Sequence, residues 1–426
     1  MLETPVSGVE RQQAPSTVAA TGLDLGLLAD LALKALYFGG NIEQIEISHR
    51  LALSPNVTAD VMEFLRRERL SEVTGGNGRS EGRLRYSLTS AGIERAVAAL
   101  AISGYVGPAP VPLRDYIAQV RKQSIFHVDL ARDDLEAGLE HLVLPRKTID
   151  LIGQAMSSRR ATLLYGASGN GKTSAAIGLG TTLPGHILIP QAVEVMREII
   201  QLYDPSSHEI VEDDEPSEFA SRAIYDRRWV VIKRPVVFAA GELAANHLEL
   251  MLDKVHKTYE APIQMKANGG MMIIDDFGRQ RLDASYLLNR WVIPLERQID
   301  YLSLHSGARF EVPFDAIPMF VSNLDPSTLA DEAFLRRIRY KIEIPSPDRK
   351  LFLEILRREC EQQEVAYEEA AANYFIDNYF VGGKHEMRGC HPRDIVQAIA
   401  DAARYRGADR ALTSDTIDDA YEHYFV

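Results

Sequence analysis

The octapeptide GASGNGKT, residues 166–173, constrains this 426-residue chain more than any other feature. It fits the spacing GxxxxGK[ST], follows the apolar run ATLLY and opens the helix-compatible stretch TSAAIGL. Glycines let such a loop wrap until its N–H groups converge on phosphate oxygens, and the helix N-terminus adds positive potential. The cradle comprises Gly166, Ala167, Ser168, Gly169, Asn170, Gly171, Lys172, Thr173 and Ser174. Lys172 is expected to reach the β- and γ-phosphates of ATP, and Thr173 to offer its hydroxyl to Mg²⁺.

Further along, MMIIDD (271–276) is a wholly apolar strand ending in two carboxylates, Asp275 and Asp276. Carboxylates rarely end a buried strand without a partner. At the carboxyl edge of a parallel sheet, Asp275 would hold the Mg²⁺ shell and Asp276 would orient or deprotonate an attacking water. ATLLY, HILIP, MMIID and PMFVSN are the strand candidates, separated by helical patterns, and this alternation predicts an α/β fold with a parallel sheet.

The boundaries follow from composition. Residues 1–22 read as a disordered tail, 23–104 as three helices and a hairpin resembling a winged helix, and 105–124 as a Pro-rich linker. Residues 125–345 form the nucleotide-binding core, and 346–426 a helical lid. Between the second strand and MMIIDD lies a segment far longer than a minimal core needs. A formal charge of −13 argues against wholesale binding to nucleic acid. Residues 41–90 carry seven bases and seven acids, so phosphate attraction there is weak, although Arg79, Arg83 and Arg85 make the wing basic. Asn56, Thr58, Asp60, Glu63 and Arg67 are expected on the outer face of the third helix. Two cysteines, Cys360 and Cys390, in no ligand spacing, suit a reducing cytoplasm, and no segment is apolar enough for membrane insertion.

Taken together, GASGNGKT, MMIIDD, PMFVSN and DEAFLRRIRYKIEIPSPDR resemble the AAA+ ATPase superfamily from about residue 125 onward. The resemblance implies that Asn323, ending PMFVSN, is a sensor of the γ-phosphate. It implies that Arg336 or Arg337, the latter preferred, is an arginine finger acting on a neighbouring subunit. It further implies that Arg393, in the first turn of a helix where a cation wants an anion nearby, is a second sensor. A finger of this kind implies a homo-oligomer, either a ring such as a hexamer or a nucleotide-bridged dimer. YLSLHSGARFEV (301–312) reads as a β-hairpin and is similar to the pre-sensor-1 insertion of the clade holding sigma-factor-dependent activators and MoxR-type chaperone ATPases. The run from DDFGRQ also resembles bacterial ATPases described as chaperones of pilus assembly, implying a protein client. DNA, through the winged helix, is the alternative partner. The motif departs from the family in ending Asp-Asp rather than Asp-Glu, which implies slow hydrolysis or an ATP-binding switch.

Overall fold

The computed structural model describes residues 9–75, 84–211, 225–329, 335–381 and 385–424. The bases Arg79 and Arg83 of the expected wing, residues 212–224 and residues 330–334 lie outside the described residues.

The first unit is built from short capped helices. Asp24 caps α1 (Leu25–Gly39) by accepting from Gly26 N at 2.8 Å. After β1 (Ile42–Glu43) and α2 (Gln44–Arg50), Ser54 caps α3 (Pro55–Arg67), whose first residue is the proline that this position favours. Strands β2 (Ser71–Gly75) and β3 (Arg85–Leu88) join β1 in an antiparallel sheet of order β1-β3-β2, and α4 (Ser90–Ile102) closes the unit over Leu28, Leu36, Val61 and Leu65. Thr58 departs from expectation. It is buried, because its hydroxyl turns back to donate to Ser54 O at 3.0 Å.

Neither the tail nor the linker is a free spacer. Residues 9–22 pack against the body: Ser54 Oγ donates to Pro15 O at 2.6 Å, and Gln13 bridges Tyr225. In the expected linker, β4 (Val111–Pro112) enters a sheet and α5 (Leu113–Lys122) buries Tyr116 and Val120. The prolines stiffen an edge strand there, which is a position where the missing N–H costs no ladder bond.

Helix α6 (Arg146–Ser158) leads into β5 (Thr162–Tyr165), the phosphate loop and α7 (Lys172–Thr181). Next come β6 (His186–Pro190), β7 (Ala192–Val195), β8 (Glu198–Gln201), β9 (Trp229–Lys233) and β10 (Val236–Ala239). They are followed by β11 (Met251–Asp253), β12 (Thr258–Glu260) and β13 (Gly270–Ile274). The hairpin is β14 (Ile299–Ser303) and β15 (Arg309–Pro313), then β16 (Ala316–Ser322) and β17 (Tyr340–Glu343).

Among the described residues, the central sheet has the order β10-β13-β16-β5-β17, all pairs parallel. Its inner strands β13, β16 and β5 are buried on both faces, as a sheet covered on both sides requires. Leu163, Met272, Ile274 and Phe320 feed one core, and Leu164, Met271, Ile273 and Val321 feed the other. HILIP is not part of this sheet. It forms β6 and pairs antiparallel with β9, and PVVFA supplies β10 in its place. A five-residue apolar run states that a strand is buried without stating which sheet buries it.

The long insertion is a β-rich module. Strands β11-β12-β8-β7-β4 form its sheet, and the apolar side of the hairpin (Leu302, Leu304, Phe310, Val312) completes its core. Four amphipathic helices end the chain: α8 (Arg349–Gln362), α9 (Glu369–Tyr379), α10 (Cys390–Arg406) and α11 (Ser414–Tyr424). They enclose Phe352, Leu356, Phe375, Ile395 and Ile417. Among the described residues, no helix is long and apolar enough to cross a membrane.

Candidate nucleotide site

The parallel sheet brings the carboxyl ends of β5, β13 and β16 to one edge, and the sequence-predicted residues gather there. The loop after β5 holds Gly166, Gly169 and Gly171 at φ of 132°, 85° and 85°. Gly169 has a second reason to be glycine, because a Cβ there would stand 2.4 Å from Cys390 Sγ at the start of α10. Lys172 is buried and its Nζ donates to Ala167 O at 2.8 Å. Burial pushes its ammonium below the usual lysine range; Asp275 and Asp276 counter this, and Arg388 adds to it.

Thr173 Oγ1 donates to Asp275 Oδ2 at 3.0 Å, which joins the loop to the end of β13. Asp275 is fixed further: its Oδ1 accepts from Asp276 N at 2.8 Å, and its carbonyl accepts from Gln280 Nε2 at 2.7 Å. Asp276 is exposed and sits at φ 50°, a left-handed conformation that aspartate tolerates better than most side chains. Asn323, just past β16, donates from Nδ2 to Asp276 Oδ1 at 3.4 Å. Lysine, hydroxyl, two carboxylates and an amide therefore share one edge. A hydroxyl and a carboxylate 3.0 Å apart are the hard oxygen donors that Mg²⁺ prefers, so the residues fit that ion.

The C-terminal helices meet the loop directly, a contact that sequence reasoning missed. Gly389 N donates to Asn170 Oδ1 at 3.0 Å, Asn170 Nδ2 donates to Ser346 Oγ at 3.2 Å, and Ser346 Oγ donates to Glu386 Oε1 at 2.7 Å. Arg393, which the resemblance offers as a second sensor, is exposed and pairs with its neighbour Asp394 at 2.7 Å. Arg388, immediately before Gly389, is a basic residue that sequence reasoning did not single out, and it adds to the lowering of the Lys172 ammonium. His391, stacked on Phe380, is pushed down to about 4 by burial first and by Arg388 second, and stays neutral at pH 7.

Arg336 and Arg337 lie elsewhere. With Arg160 and Arg339 they line a cleft beside Glu296, and Arg337 Nε meets Glu296 Oε1 at 3.0 Å. The cleft sits where β5 and β17 begin, whereas the phosphate loop follows where β5 ends. Four residues of strand, about 13 Å at about 3.3 Å each, separate the two ends. Both arginines thus stand at the opposite edge of the sheet from this chain's own loop.

A family model described as a domain of unknown function (DUF8689) matches residues 348–423, the four C-terminal helices. No curated protein matches the chain. Among solved structures, one of NtrX from Brucella abortus is 13% identical, covering 71% of this chain and 57% of its own, with TM-score 0.39. NtrX in complex with ADP is 14% identical over 78% of this chain and 66% of its own, TM-score 0.41. The Thermotoga maritima RuvB Holliday junction branch migration motor is 13% identical over 66% and 70%, TM-score 0.36. This chain thus spans little more than half the length of the first of these.

Proposed function

We propose that this chain is an AAA+ ATPase that binds ATP with Mg²⁺ at the edge of the parallel sheet and hydrolyses it across a subunit interface to remodel a protein client. The observation that carries the reading is the Thr173–Asp275 hydrogen bond, which couples the phosphate loop to a strand-end carboxylate. Thr173 and Asp275 would hold Mg²⁺, which supplies charge neutralisation on the phosphates when bound. Loop N–H groups and Lys172 bind and orient the phosphates. Asp276, steadied by Asn323, holds the attacking water and accepts its proton. Arg388 adds positive charge from the C-terminal side of the same site, and Arg337 or Arg336 supplies it from a neighbour. Arg388→Ala is expected to weaken ATP binding about tenfold, whereas Arg393→Ala leaves it unchanged; calorimetric titration separates them.

Turnover is slow on this reading. The left-handed backbone at position 276 favours Asp over Glu, and the shorter arm holds water less closely. A protein client is favoured over DNA because the start of α3 is already covered by Pro15, and Arg85 is engaged by Glu43 at 3.4 Å. Steady-state ATPase rate per chain is expected to rise with protein concentration, since the arginine cleft and the phosphate loop meet only between copies. A rate per chain independent of concentration down to nanomolar levels would overturn catalysis across subunits.

A further inference from the structure

Strand β16 carries one hydroxyl in an otherwise apolar run, that of Ser322, its last residue. Ser322 is 1% exposed. A buried hydroxyl has to be paired, and this one is paired twice. Its Oγ donates to Phe277 O at 2.7 Å and accepts from Leu324 N at 3.1 Å. Its backbone also lies in register with Tyr165, the residue before the phosphate loop.

Both partners flank the chemistry: Phe277 follows Asp276, and Leu324 follows Asn323. Phe277 is clamped at both backbone groups, its N–H by Val321 O at 2.8 Å and its carbonyl by Ser322. Its ring is buried, with its centroid 4.8 Å from that of Phe320. This fixed residue holds Asp276 at φ 50°, since a left-handed backbone persists at a residue other than glycine only where its surroundings over-determine it. On the other side, the bond from Leu324 N closes the short turn that a serine side chain makes two residues on, and Asn323 is its middle residue. Asn323 Nδ2 and Asp276 Oδ1 stand 3.4 Å apart, a separation that the two bonds of one hydroxyl help to set.

We propose that Ser322 is a positioning residue for hydrolysis. By tying the turn after Asp276 to the turn around Asn323, it sets where the attacking water is held, without touching nucleotide itself. The assignment rests on the reading of this site as one that hydrolyses ATP. Ground-state binding belongs to the phosphate loop and Lys172 and is independent of it.

The test compares Ser322→Ala, Ser322→Thr and Ser322→Val in the full chain, by calorimetric titration with ATP and by turnover at saturating ATP. Threonine and valine side chains have nearly the same shape, so both crowd the buried strand end alike, and only the first keeps a hydroxyl. Relative to the parent, kcat is expected to fall about a hundredfold in Ser322→Ala and Ser322→Val but only about threefold in Ser322→Thr, with ATP affinity within about twofold in all three. The loss from Ser322→Ala is expected to shrink at least about tenfold in an Asn323→Ala background, because a residue acting through the Asp276–Asn323 pair then has less to position. Equal turnover in Ser322→Val and Ser322→Thr would overturn the assignment, as would a loss carried by ATP affinity, or losses that simply multiply with Asn323→Ala. Should the Ser322→Ala chain not fold, the comparison of Ser322→Thr with Ser322→Val decides by itself. Absence of turnover in the parent chain would instead remove the hydrolytic reading, and the role of Ser322 with it.

Discussion

Replacing Lys172 by alanine is expected to remove measurable ATP binding and to lower turnover by about a thousandfold or more. The ammonium is buried and donates to Ala167 O, so in the bound state it can exchange that neutral acceptor for phosphate oxygens. A charge-assisted bond in a site of low dielectric is worth far more than the backbone bond it replaces. The fold should survive, because the substitution removes a desolvated charge from a loop at the sheet edge rather than an apolar side chain from the core. Nucleotide titration by calorimetry, with circular dichroism to confirm folding, decides the matter. Unchanged turnover would remove the phosphate-loop assignment.

Arg337→Ala should behave oppositely, with binding within about twofold of the parent and turnover lower by about a thousandfold. Its guanidinium lies near the start of β5, paired with Glu296, at the opposite sheet edge from this chain's own phosphate loop, so binding there is expected to be spared. Mixing inactive Arg337→Ala with inactive Asp276→Asn is then expected to restore activity. The second chain donates an intact arginine to the intact site of the first. If mixing restores nothing while Arg336→Ala in the same pairing does, the finger is Arg336. If neither pairing restores activity, the trans assignment fails.

What could be read from the sequence, and what could not, divides along physical lines. The phosphate loop and MMIID were legible because their chemistry is local: glycine spacing dictates the loop, and carboxylates after an apolar run mark a strand end. The hairpin at 299–313 was legible for the same reason, through alternation around His305-Ser306-Gly307. Sheet membership was not, because β6 and β10 are both short apolar runs and only their distant partners separate them. Prolines at 108–112 suggested a spacer, yet edge strands accept proline equally well, and Val111 is buried. That Arg388 as well as Arg393 flanks the start of the helix beside the loop was not legible, because the fold that sets the helix there has no period or motif.

The contact between Gly169 and Cys390 carries one last consequence. With no clearance between the phosphate loop and α10, and with Asn170 clasping Gly389, the C-terminal helices form part of the wall of the cradle. They are tied to the floor of the cradle rather than standing clear of it. Any rotation of α10 must first release Asn170 and then alters the shape of the loop itself, so nucleotide release and helix displacement become a single mechanical coordinate. A force applied by a partner anywhere along the 17 residues of α10 would be felt at the phosphates without passing through the sheet.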